Sequence, residues 1–263
     1  MRPAAPALRA MPPAPFADDA AHLQAALAAL DAVLRARVDR VRASLGGDPW
    51  LRGLNVDDAT VDALLDRSPL SAPWPAGEVQ PAIEAALAGI ADDLAAREAA
   101  TLAAGRALRL LDLRARFGLD DLAAEVVLLA LAPELDDRYA RLIGWLHDDL
   151  ARNRPSVGLC LDLFGGPLPG RLQARRAFAP DAPLLTSGLV TLGEANHWRD
   201  RPVKLALGLV RWLLGEAPVD PSTGARVVRL PVDEVGDADS LESYGDRLVK
   251  SIRAGARHAV NVS

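Results

Sequence analysis

The residues able to do covalent or metal chemistry are few and scattered. The four histidines are His22, His147, His197 and His258, and Cys160 is the single cysteine. No His-x-x-x-His or Cys-x-x-Cys spacing occurs, although such spacings bring zinc ligands onto one helix face or around one turn. Neither Ser156 nor Ser187 lies in a Gly-x-Ser-x-Gly turn, the corner that exposes an activated serine. The paired carboxylates Asp57/Asp58, Asp120/Asp121, Asp136/Asp137 and Asp148/Asp149 have the outward form of acid–base dyads. Three of the four stand at predicted helix starts, where unpaired N–H groups and the helix dipole favour negative charge by ~0.3–1 kcal/mol, and they read as caps. Ser156 also reads as a cap. Cys160 falls on an apolar stripe and reads as a buried, inert thiol. No Gly-Lys pair exists for a phosphate-binding loop. These residues yield no catalytic, cofactor-binding or metal-ligating set, and the chain reads as non-enzymatic.

What remains is a basic and aromatic set. The stretch "PGRLQARR", 169–176, stands with Arg152, Arg154, Arg199 and Arg201 as the main cationic feature. Trp198 lies beside two of these arginines. Arg171, Arg175, Arg176, Trp198, Arg199 and Arg201 are therefore the candidate partner-contact residues, since Trp and Arg are enriched where binding energy concentrates. Trp198 packed back onto its own domain is the competing reading.

The elements that must carry these residues are mostly helical. The chain has 263 residues, half of them apolar and a quarter charged, with a net charge of −5. That composition suits a real core and argues against a basic nucleic-acid binder. Only Lys204 and Lys250 are lysines, and a GC-rich genome accounts for the Ala, Leu, Arg, Gly and Pro bias. A lone cysteine fits a reducing cytoplasm. No run reaches the ~18 apolar residues that span a bilayer, and the proline-rich start does not suit a signal peptide. The reading is cytoplasmic, with no membrane contact.

Residues 1–17 are Pro/Ala-rich and read as a disordered leader. A helical domain over 18–117 follows. Leu23, Leu27, Leu30, Leu34, Val38, Val41 and Leu45 form one stripe on a long helix capped by Asp18 or Asp19. Asp57 caps a short helix, 68–78 is a loop, and a second long helix from Pro81 to Ala103 turns Ile83, Leu87, Ile90 and Leu94 inward. A helix over 107–117 ends at Gly118. Residues 118–216 read as a winged-helix domain. Its helices are 120–131, stopped by Pro133; one aligning Tyr139, Leu142, Ile143, Leu146 and Leu150; and a third over 156–164, capped by Ser156. The strands 188–194 and 201–206 make the wing, with Trp198 at its tip, and a helix over 207–214 follows. Residues 217–240 are a linker. Residues 241–263 hold a helix and the strand in "HAVNVS". The fold class is mainly α: an antiparallel helical layer followed by a winged-helix domain with a small β-hairpin wing. The predicted third helix carries Asp162 and no Arg, Lys, Asn or Gln, too sparse a polar face for reading bases.

Four stretches in this order, "DPWLRGLNVDDATVDALL", "RFGLDDLAAEVVLLALAPELDDRYARLIGWLHDDLARNRPSVGLCLDLF", "APLLTSGLVTLG" and "RPVKLALGLVRWLLGE", resemble the N-terminal region of bacterial AAA+ ATPases encoded with contractile injection systems, which are phage-tail-like particles. The resemblance covers roughly residues 20–216, and 241–263 are similar to the opening of the ATPase core. It implies a non-catalytic adaptor or regulatory region. Its partners would be injection-particle components or neighbouring ATPase subunits, with ring assembly only alongside the core. ATP and Mg are implied only for that core, because the phosphate-binding loop and the acidic metal-holding motif are absent from these residues. A winged-helix DNA-binding regulator is the alternative.

Overall fold

The computed structural model describes residues 13–44, 81–166 and 170–216, together with Asp62, Leu65 and the pairs 219–220 and 225–226. The chain divides into two compact units, residues 1–204 and 205–263.

The first unit begins with α1, Asp19–Ser44. Leu30, Leu34, Val38 and Val41 are buried along it at steps of three and four, as the stripe predicts. Nearer its start, His22 and Ala26 are buried while Leu23 and Leu27 are half-buried. The stripe is thus rotated there toward smaller and polar side chains. α1 packs on α2, Pro81–Ala103. The start of α1 meets the end of α2, since His22 Nε2 lies 2.7 Å from Glu98 Oε1, so the two run antiparallel. Ile90 was expected inward and is instead 40% exposed. Among the described elements α2 makes its main contact with α1.

The predicted disordered leader needs correction at its end. Phe16 is fully buried, its N–H donates to Thr101 Oγ1 at 2.8 Å, and Arg106 Nη1 donates to its carbonyl at 2.7 Å. The Arg97 guanidinium lies 4.0 Å from the centre of the Phe16 ring. Residues 13–18 therefore form a strap over the end of α2. Residues 1–12 lie outside the described residues, as do the loop 68–78, the predicted 241–254 helix and the closing strand.

α3, Arg109–Phe117, borrows its cap from α1: Asp19 Oδ1 accepts from Arg109 N at 2.8 Å. Gly118 ends it in the left-handed region, φ 59°, which glycine adopts without steric cost. α4, Asp121–Leu135, starts where Asp120 accepts from Ala123 N. It is apolar nearly all round and buries eight residues, the pattern of a helix enclosed by others. Pro133 does not stop it. Proline in the last turn forfeits one hydrogen bond, and Asp136 N still donates to Ala132 O, so the helix runs two residues further. Asp136 then caps α5, Asp137–Leu146, through Arg138 N. Tyr139 and Ile143 are buried as predicted, but Leu150 is 77% exposed. The helix ends before it, and Asp148 turns the chain at φ 56°, which takes Leu150 off the helical period.

α6, Val157–Phe164, is capped by Ser156, whose Oγ accepts from Leu159 N at 3.1 Å. Then come α7, Gly170–Ala174, a 3-10 turn, Arg175–Phe178, and α8, Pro183–Thr186, opened by proline at its first position. β1, Val190–Leu192, pairs with β2, Val203–Leu205. Ser156 makes an antiparallel bridge to Pro202, supported by Val157 N to Arg201 O and Val203 N to Pro155 O. The hairpin thereby gains a third extended segment just before α6. Helix α5, this segment, α6, the 170–186 turns, β1, wing and β2 follow the order of a winged helix. The helical position between α6 and the hairpin is thus filled by the 170–186 stretch, which holds α7, the 3-10 turn and α8, and not by α6. The double glycine at 165–166 closes α6, and a further helix begins at Gly170.

In the second unit, α9, Leu207–Leu213, buries Leu209, Val210 and Leu213. β3, Val219–Asp220, and β4, Ala225–Arg226, form a short antiparallel pair within the stretch read as a linker.

Candidate partner-binding face

The six candidate contact residues come from two places in the first unit: the 170–178 stretch and the wing. Asp162, on α6, ties them together. Its Oδ2 accepts from Arg199 Nη2 at 2.8 Å, and its Oδ1 lies 3.7 Å from Arg171 Nη1. The Asp162 and Arg171 side chains are about nine-tenths buried, while Arg199 is 45% exposed. One carboxylate thus holds the wing and α7 against α6. Gly158 makes the approach feasible, because a Cβ there would stand 3.0 Å from the Arg199 carbonyl oxygen.

Trp198, expected at the tip of the wing, opens a 3-10 turn, Trp198–Asp200. It is half-buried, edge-on to Phe178 with ring centres 6.3 Å apart, and the Arg175 guanidinium lies 4.2 Å over its face. Trp198 therefore packs back onto its domain while serving as a floor for Arg175. Arg201 donates from Nε to Gly193 O and from Nη2 to Leu192 O, closing the base of the wing. Arg152, part of the same basic set, pairs with Asp200 at 3.0 Å, and Arg154 with Glu134 at 2.7 Å. Arg175 and Arg176 are exposed, and neither side chain makes a hydrogen bond or ion pair among the described residues. Arg176 stands on the rim of an open groove of about 950 Å³ floored by Leu119, Leu122, Phe164 and Leu184.

A second polar cluster escaped the sequence reading. His147 Nε2 lies 2.9 Å from Ser156 Oγ, and Nδ1 lies 2.9 Å from the Arg152 carbonyl. The carbonyl only accepts, so Nδ1 carries the hydrogen and Nε2 accepts from the serine hydroxyl. Burial holds His147 below its ordinary pKa. The pair has the form of a nucleophile and base, but Ser156 is buried and already caps α6. Its spacing of nine residues, with a turn between, gave no signal beyond the cap itself. Cys160 is fully buried, and desolvation pushes its thiol pKa up, which disfavours the reactive thiolate.

Among the described residues no cluster of His, Cys, Asp and Glu could hold a metal ion, and no helix is long and apolar enough to cross a membrane. No curated protein and no solved structure matches the chain. One family model, described as "Winged helix domain, variant", matches residues 7–223. The match extends beyond the hairpin region to include the helical layer, and it carries no link to an ATPase or to contractile injection systems. A winged helix supports a role in binding nucleic acid or protein. With the match spanning most of its length and the helix–hairpin order in place, the chain belongs to the winged helix domain, variant, family.

Proposed function

We propose that this chain is a non-catalytic adaptor that docks a partner protein through its winged-helix face. Its resemblance to the N-terminal region of AAA+ ATPases gives the setting: coupling an ATPase to assembly or maintenance of a contractile injection system, in the cytoplasm. ATP and Mg²⁺ would belong to the ATPase core, and this chain would need no cofactor of its own. The observation that carries the docking reading is the direction of the wing's cations. Arg199 turns to Asp162 and Arg201 to the carbonyls of Gly193 and Leu192, while residues 194–197, Glu-Ala-Asn-His, are exposed without a Lys or Arg. A wing that grips DNA places cations against phosphate. The direct test is capture of purified injection-particle components, or of the ATPase core, by the tagged chain. Capture that survives washing at moderate salt is the expected result, and its failure alongside tight duplex binding would overturn the proposal.

A second reading, a DNA-binding regulator, is favoured by one observation. Gln173 and Arg176 are exposed on the 170–178 stretch, at the position before the hairpin where a winged helix reads bases. Duplex affinity falling steeply with salt would support it.

A further inference from the structure

We infer that Arg175, stacked on Trp198, together with the neighbouring Arg176, grasps the carboxylates of an acidic segment on a partner protein. The inference rests on the docking reading and names the chemistry of what docks. The Arg175 guanidinium carbon lies over the Trp198 ring, 4.2 Å from its centre. The N–H donors lie in the guanidinium plane, so they remain available at its edge, in the fork that fits a carboxylate. No acceptor among the described residues takes them. Trp198 is itself held edge-on by Phe178, and the wing beneath it is tied to α6 through Arg199 and Asp162. The guanidinium is therefore oriented before any ligand arrives, which lowers the ordering cost of binding.

Charge selects the occupant. Arg171 and Arg199 share the nearly buried Asp162 carboxylate, and Arg175, over Trp198, adds a third guanidinium with no carboxylate of its own among the described residues. Arg176 adds a fourth cation at the next position. This local excess stands in a chain whose net charge is −5. A run of Asp and Glu completes it. Duplex phosphate fits less well, because Glu194 stands in the exposed wing and the wing's own arginines face inward.

The test uses the full chain and a fluorescein-labelled poly-glutamate peptide, followed by anisotropy at low ionic strength. Arg175→Glu is expected to weaken binding at least ~tenfold, the scale of one charge-assisted pair. Arg175→Lys keeps the charge but loses the fork and the stacked plane, and should fall in between. Arg141→Glu, an exposed arginine on α5, makes the same charge change elsewhere and should alter binding little. Equal losses in the 175 and 141 variants would overturn the proposal. So would displacement of the peptide by random-sequence duplex that itself depends on Arg175. Undiminished capture of particle components by the Arg175→Glu chain would sink this face while leaving the adaptor role standing. Failure of the unaltered chain to capture them, with peptide binding intact, would do the reverse.

Discussion

His147 Nε2 sits 2.9 Å from Ser156 Oγ, and this contact joins the end of α5 to the start of α6. The serine oxygen also accepts from Leu159 N, and the imidazole's other nitrogen donates to Arg152 O. Four polar groups, the serine hydroxyl, the imidazole, the Leu159 N–H and the Arg152 carbonyl, satisfy one another, which keeps their burial from costing stability. The geometry depends on a neutral imidazole, because a protonated Nε2 would turn from acceptor to donor.

Acid should therefore weaken the fold. The His147 pKa is lowered in the folded state, so between its unfolded value near 6.5 and the folded value the unfolded chain binds the extra proton. Stability is complete above about pH 6.5 and is lost as pH falls below it. Glu125 acts in the opposite sense: burial raises its carboxyl pKa, so its contribution is present at low pH and lost as pH rises through the folded value. Urea midpoints across this range should show a slope that His147→Gln flattens. An unchanged slope would refute the assignment.

Ser156→Ala removes a cap and strips His147 Nε2 of its donor in one step. A loss of about 1–3 kcal/mol is expected by urea denaturation. Ser156→Asn, which can still cap, should recover part of it.

Asp162→Asn should loosen the wing more than the helices. Breaking a largely buried carboxylate pair would cost about 3 kcal/mol or more, but Arg199 is partly exposed, so about 1–3 kcal/mol is expected. Hydrogen exchange should accelerate in peptides covering residues 190–204 and change little in α4. Uniform acceleration throughout the first unit would contradict a local tie.

Phe16→Ala should cost about 3–5 kcal/mol, the range for emptying a buried aromatic site. Thr101→Val leaves the ring in place and removes the acceptor for Phe16 N–H together with the hydroxyl's own bond to the Arg97 carbonyl, for which about 1–3 kcal/mol is expected. Thermal unfolding would rank the two, and near-neutral effects would mean that the strap adds nothing to the helix pair.

The helices were legible because their signals are local. Asp120, Asp136 and Ser156 announce three helix starts, and each side chain does accept a backbone N–H. Burial on α1 followed from periodicity, whereas Ile90 shows its limit, since periodicity marks an apolar side without saying whether a neighbour covers it. The strap failed compositional reading for a related reason. Its prolines and alanines suggest disorder, yet one phenylalanine and three distant side chains, Arg97, Thr101 and Arg106, anchor it across more than eighty residues of sequence. The contact face was half legible. Residue types picked out Arg175 and Trp198, but only the fold reveals that the first lies on the second while Arg171, Arg199 and Arg201 are turned to internal acceptors.

The base of the wing leaves no room for variation. A Cβ on Gly193 would stand 2.7 Å from Pro202 Cγ, and Arg201 spans the same gap with bonds to Gly193 O and Leu192 O. Changes of length or identity are thereby confined to residues 194–197, beyond that clasp. The same four positions, all exposed, offer a place to graft an epitope or a fluorophore, so that a reporter could be carried on the wing without altering how the hairpin closes.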